Sequence, residues 1–161
     1  MIINILKEEN CPEWVINHSI AVYKKAIKIS NNFDVDMDLI KHGSLLHDIG
    51  RSKTNGIEHA IIGSKIAIKD GFGWKIAKII ERHIGGGILR SEAKLLGLPE
   101  RDYIPVTLEE KIVAHSDNLL NGSDDVDINF TIKKWKSKIN NYHDPVKRIK
   151  KLHEELILPF Q

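Results

Sequence analysis

Four histidines and two aspartates of this 161-residue chain stand where helical periodicity asks for core residues. His18 falls in line with Val15, Val22, Ala26 and Ile29, His59 with Ile62 and Ile66, His83 with Ile76 and Ile79, and Asp117 with Val113 and Leu120. His47 and Asp48 adjoin one another in the otherwise apolar "GSLLHDIG". Burying an imidazole or a carboxylate is costly without a partner. One histidine on an apolar stripe needs only a hydrogen bond. Six such groups on the inward faces of five helices can share a single partner, a divalent cation, as metal sites in helical bundles do.

The donor set restricts the cation. Imidazole plus carboxylate without sulfur suits Mn, Fe, Zn, Ni or Co and disfavours a structural zinc site. His47 and Asp48 lie about 100° apart around a helix, so both can reach an ion between their directions. One carboxylate can bridge two ions roughly 3.5–4 Å apart, and Asp48 is the candidate bridge. Such a centre, with one or two ions, can activate a bound water and clamp an attacking and a leaving oxygen. Asp48 and Asp117 are the candidates to hold that water. Arg51 and Lys53 follow Gly50 and are the candidates to grip a substrate phosphate, although a surface role also accounts for both. Arg82 neighbours His83 and should point elsewhere.

These residues need helices to position them. Pro12 suits the first turn of a helix running to about residue 32, and a second is expected over about 38–48, stopped by Gly50. A third starts near Ile57 and ends at "DGFG"; a fourth covers "WKIAKIIERHI" and ends at Gly85, Gly86 and Gly87. Those glycines lack the spacing and preceding strand of a phosphate cradle. Thr107 and Glu110 have capping-box spacing before "LEEKIVAHSDNLL". After the polar "NGSDDVD", two basic helices complete the chain, with Asp144 and Pro145 opening the last. No run alternates as a strand would, so the expected class is all-α.

Composition narrows the functions. The length fits one domain, 1–161, with a motif-bearing core over about 12–125 and a helical extension over about 126–161. No apolar run is long enough for a membrane span, and the first ten residues have the wrong charge order for a secretory signal. Cys11 is the only cysteine, which fits a reducing cytoplasm. Net charge is +2, but Thr131 to Gln161 holds eight Lys/Arg against three Asp/Glu. That basic region can meet phosphates, nucleotides or RNA; a solvated helix face explains it equally well. His42, His115, His143 and His153 are expected to be bystanders, and Trp14, Trp74 and Trp135 to pack. Ser44, Ser52 and Ser116 have no base at nucleophile spacing.

The ordered series His18, His47–Asp48, His59, His83, Asp117 resembles the HD superfamily of metal-dependent phosphohydrolases, and "HDIG" at His47–Gly50 is its commonest expanded form. The stretch "GLPERDYIPVTLEEKIVAHSDNLL" is similar to a small archaeal HDIG-type subgroup. The resemblance implies an HD-domain helical bundle with His18, His47, Asp48 and Asp117 as core ligands. It implies a second ion on His59 and His83. Some two-metal branches have consecutive histidines here, whereas Ile84 follows His83. The implied activity is hydrolysis of a phosphate ester or anhydride of a nucleotide-like small molecule. A metal-stabilised nucleotide- or RNA-binding module without turnover, and a di-iron oxygenase, are the competing readings. Oligomeric state, substrate and the native metal are not legible.

Overall fold

The computed structural model describes residues 1–140 and 143–161; positions 141 and 142, within the expected C-terminal extension, lie outside the described residues. The helices are α1 (Ile2–Glu8), α2 (Glu13–Ser30), α3 (Met37–Leu46), α4 (His59–Lys69), α5 (Trp74–Glu81), α6 (Arg90–Leu95), α7 (Leu108–Asn118), α8 (Ile128–Lys136) and α9 (Val146–Leu156). Short 3₁₀ turns cover Ile49–Ser52 and Leu158–Phe160. The class is all-α, as the periodicity predicts.

Side-chain caps set several starts. The Asp36 carboxylate accepts from the Asp38 and Leu39 amides, Thr107 Oγ1 from the Glu110 amide, and Asp127 from the Phe130 amide, each satisfying donors a helix N-terminus leaves open. Asp144 accepts from the Val146 amide, as its place before Pro145 suggests. The expected capping box at Thr107 is only half formed. Glu110 turns away to take the Val106 amide and the Arg82 guanidinium, and this pair also draws Arg82 away from His83.

The α2 stripe is buried as its spacing requires, and α2 packs on α3 and α7 while α4 packs on α5. Val15, Ala26, Ile40, Leu46, Ile79, Ile80, Ile112 and Val113 share one core, closed by Leu6 of α1, a helix the sequence does not announce. Four local expectations are corrected. "NGSDDVD" is not simply a loop: Leu120–Asn121 (β1) and Asp124–Asp125 (β2) pair antiparallel around Gly122, which takes a φ of +62°. Between the glycines Gly85–Gly87 and Thr107, where the sequence reading places no helix, Arg90–Leu95 forms α6. The helix over "WKIAKIIERHI" ends at Glu81, two residues before His83.

The fourth correction concerns Gly50. It is not a helix stop, because the chain continues through it in the 3₁₀ turn. A Cβ there would overlap the His59 carbonyl and lie 2.8 Å from the Gly63 amide nitrogen. Gly50 is a spacer that lets α4 lie directly on the turn bearing Asp48.

Candidate metal centre

Each of the six residues is delivered by an element's end or its buried face. His18 lies on the buried stripe of α2, His47 closes α3, Asp48 precedes the 3₁₀ turn, His59 begins α4, His83 follows α5, and Asp117 is next to last in α7. The structure brings all six together.

All four imidazoles are anchored through Nδ1. His47, His59 and His83 each donate to the carbonyl three residues earlier, Ser44 at 2.7 Å, Gly56 at 2.8 Å and Ile80 at 2.6 Å. His18 donates to the Gly122 carbonyl at 2.6 Å, so the small hairpin orients an α2 side chain. A proton on Nδ1 leaves the Nε2 lone pair to face the centre. Metal-ligating histidines are oriented in this way by their outer hydrogen bond.

Asp48 lies between two nests of donors. Its Oδ2 is 3.7 Å from His18 Nε2 and 3.6 Å from His47 Nε2. Asp117 Oδ1 completes that nest, 2.8 Å from His18 Nε2 and 3.7 Å from His47 Nε2. Asp48 Oδ1 faces the other way, 3.1 Å from His59 Nε2 and 3.3 Å from His83 Nε2. Ligand atoms of His18, His47 and Asp117, and of His47, Asp48 and His83, fall within 4.8 Å of one another.

A divalent cation fits these residues. His47 Nε2 and Asp48 Oδ1 are buried without a hydrogen-bond partner among the described residues. His59 and His83 bring their Nε2 atoms to 3.2 Å while each already commits Nδ1–H to a carbonyl. Two lone pairs at that distance repel unless a proton or a metal ion lies against them. Nitrogen and oxygen donors without sulfur suit a first-row divalent ion.

The metal-free electrostatics follow. Burial pushes the Asp48 carboxyl up, but His47, His59 and His83 outweigh it and hold it well below the ordinary carboxylate range. Asp117 is likewise held far down against burial, by His18 and His47. Burial opposes charge on His47, yet Asp48 and Asp117 raise its pKa to about 9. His83 is lowered, chiefly by burial.

A pH dependence results, with a definite sign. Because the folded value of His47 exceeds its unfolded value, its stabilising proton is fully present below pH ~6.5 and lost as pH rises through about 9. Metal-free protein should lose stability over that window, on the order of 3 kcal/mol at most. A bound cation replaces the proton and should flatten the decline. Urea midpoints at pH 6.5 and 9, with EDTA and with Mn²⁺, read both effects. Parallel slopes would show that the cation does not take His47.

Above the centre lies a cavity of about 250 Å³ that includes Asp48, Asp117, Arg51 and one face of α8. Arg51 lines the cavity and holds its Nε 3.0 Å from Asp48 Oδ2. Lys53 does not join it: its Nζ pairs with Glu9 at 3.2 Å, and it is not among the lining residues. His42 bonds within its own helix, His115 and His153 bond each other at 3.0 Å, and His143 lies against the Gly87 carbonyl, so none of these enters the centre. The expectation that the tryptophans pack fails at Trp14, 53% exposed, and Trp74, 66% exposed. Trp135 packs against Ile132, Val146 and Ile149 as expected, and Trp14 and Trp135 both line the cavity with Phe130, Lys134 and Lys138. The excess of basic residues near the C-terminus was the only sequence signal for that wall.

Comparisons with known proteins bear on the family and the fold. A family model described as HD domain matches residues 15–122. The Uncharacterized protein MJ0778 of Methanocaldococcus jannaschii is 49% identical over 151 residues, covering 91% of this chain and 89% of that one. The tRNA (cytidine(56)-2'-O)-methyltransferase of Picrophilus torridus is 48% identical over 152 residues, covering 94% of this chain but 44% of that protein, so the chain spans less than half of that relative's length. Among solved structures, the HD domain of the L. monocytogenes phosphodiesterase PgpH superposes with a TM-score of 0.59 at 17% identity, covering 96% of each chain.

Proposed function

The chain belongs to the HD domain family, and we propose that it is a metal-dependent phosphohydrolase acting on a phosphate ester or anhydride of a nucleotide-like substrate. One observation carries this reading: Asp48 sets one carboxylate oxygen in each of two imidazole nests at the base of a cavity. A divalent cation bound there supplies Lewis-acid polarisation of a phosphoryl oxygen and activation of water.

The chain's own residues divide the remaining work. The Asp48 side chain is 5% exposed and the Asp117 side chain 23%, so Asp48 ties the nests together while Asp117 meets what enters the cavity. Asp117 stays ionised and acts as an acceptor that orients the attacking water. Arg51 offers charge-assisted donors to the phosphate. Replacing it with alanine should raise KM about 10- to 100-fold, from the ~1.5–3 kcal/mol of a charged hydrogen bond. Arg51→Lys should restore part of that, and Lys53→Ala should raise KM less than Arg51→Ala does. Equal effects at positions 51 and 53 would remove the case for Arg51.

Methyl transfer, named for the Picrophilus torridus relative, is not the activity proposed here, since the chain spans 44% of that protein. A cluster of imidazoles and carboxylates holds a cation rather than a methyl donor. Binding of a nucleotide or RNA without turnover is the second reading, favoured by the lysines of α8 on the cavity wall. Protein purified without chelator should carry Mn, Fe, Zn, Ni or Co by elemental analysis. It should turn over members of a panel of phosphomonoesters, phosphodiesters and nucleotides. Metal without turnover favours the binding module; absence of both overturns the centre.

A further inference from the structure

The cavity wall raises a question that the metal centre does not answer. Phe130, Lys134 and Lys138 recur every four residues and form one stripe of α8 and the residues just after it, and all three line the cavity with Thr131 and Trp135. This segment lies beyond the family-matched residues 15–122. It is fixed in place: the Thr131 hydroxyl donates to the Asn118 carbonyl beside Asp117, and the Trp135 ring lies flush on Gly85, where a Cβ would come within 3.0 Å of it.

Its charges are uncompensated. Among the described residues neither Lys134 nor Lys138 pairs with a carboxylate, whereas Lys25, Lys111 and Arg148 each do. Burial and the positive charges of Lys134 and Arg51 together hold the Lys138 ammonium below its ordinary pKa, so three cations crowd one opening. Three aromatic rings accompany them. The Arg51 guanidinium lies 5.7 Å from the Trp14 ring centre and the Lys138 ammonium 5.7 Å from that of Trp135, while Trp14 and Phe130 are 53% and 43% exposed.

We propose that α8 and Trp14 read a single-stranded polynucleotide, stacking its bases on Trp14, Phe130 and Trp135 and holding the phosphates that flank the reacting one with Lys134 and Lys138. Aromatic faces interleaved with lysines along a groove are how single strands are held without sequence preference. The inference rests on the phosphohydrolase reading for the reacting phosphate alone. A mononucleotide would engage the centre and Arg51 but leave the outer lysines and exposed rings unanswered. A duplex keeps its bases stacked on each other and unavailable to rings lining a 250 Å³ cavity.

The test is fluorescence anisotropy with 5′-labelled twelve-nucleotide strands on protein as purified, strand integrity followed on gels. Single strands should bind at least about tenfold tighter than the matched duplex or a mononucleotide. Trp14→Ala should weaken strand binding about 5- to 100-fold, the range for removal of one stacking partner. The Lys134→Ala/Lys138→Ala double variant should weaken it further and reduce the slope of log affinity against log salt by about 1.4, or ~0.7 for each phosphate no longer neutralised. Circular dichroism confirms that these variants at exposed positions fold. Equal affinity for duplex or mononucleotide, or unchanged affinity and salt slope in folded variants, would overturn the proposal. Strand binding without any turnover sinks the phosphohydrolase reading and leaves this one standing; turnover of small esters without strand binding does the reverse.

Discussion

Asp48→Asn should lower turnover by on the order of 10³-fold or more, because it removes the carboxylate that reaches into both nests and with it the several kcal/mol a bound cation contributes. The substitution keeps the shape of the side chain. It replaces a carboxylate lying 3.0–3.7 Å from Arg51, His18, His47, His59 and His83 with a neutral amide, whose NH₂ cannot ligate. Metal content should fall at both positions together, whereas His59→Ala should empty one nest and spare His18, His47 and Asp117. Elemental analysis beside turnover of bis(p-nitrophenyl) phosphate separates these outcomes. Full metal content and undiminished turnover in Asp48→Asn would remove Asp48 from the centre.

That six residues spread from position 18 to position 117 could share one partner was legible because His18, His59, His83 and Asp117 fall in line with apolar helical positions and His47–Asp48 interrupts an apolar stretch, although spacing alone left their convergence open. Periodicity reports burial, and burial of a titratable group demands a partner. Their orientation was not legible. Three of the four imidazoles turn toward the centre because a carbonyl three residues back accepts their Nδ1–H, and the fourth depends on Gly122 of a hairpin two residues long per strand. A two-residue ladder is too short to show alternation, so no sequence pattern marks it.

Arg51 and Lys53 illustrate a different limit. They stand two residues apart with the same charge, yet one lines the cavity and the other pairs with Glu9. The difference comes from a 3₁₀ turn read as the residues after a helix stop, and from α1, whose short helix places Glu9 there. Likewise, the C-terminal excess of Lys and Arg was countable, but a count has no direction. Which lysines face the centre depends on the Thr131–Asn118 and Trp135–Gly85 contacts, made between residues 13 and 50 positions apart.

Gly50→Ala should be among the most damaging substitutions outside the ligand set, although it adds a single methyl group. Overpacking a closed contact costs ~1–3 kcal/mol and more where the opposing atoms are backbone, which cannot rotate away. Here the opposing atoms are the His59 carbonyl and the Gly63 amide nitrogen. At ~2–4 °C per kcal/mol for a chain of this size, the melting temperature should drop by roughly 10 °C. The chain has no positive φ at Gly50, so the cost is one of space and not of backbone conformation. Relief comes from moving the start of α4 outward, which carries His59 away from Asp48 Oδ1, so the His59–His83 nest should lose its ion before the other does. The choice between spacer and helix stop is decided by Gly50→Asn. Asparagine is a good terminating residue, and a stop would accept it; a spacer would reject it at least as strongly as alanine. Near-wild-type melting of the asparagine variant would restore Gly50 to the role its sequence position first suggested.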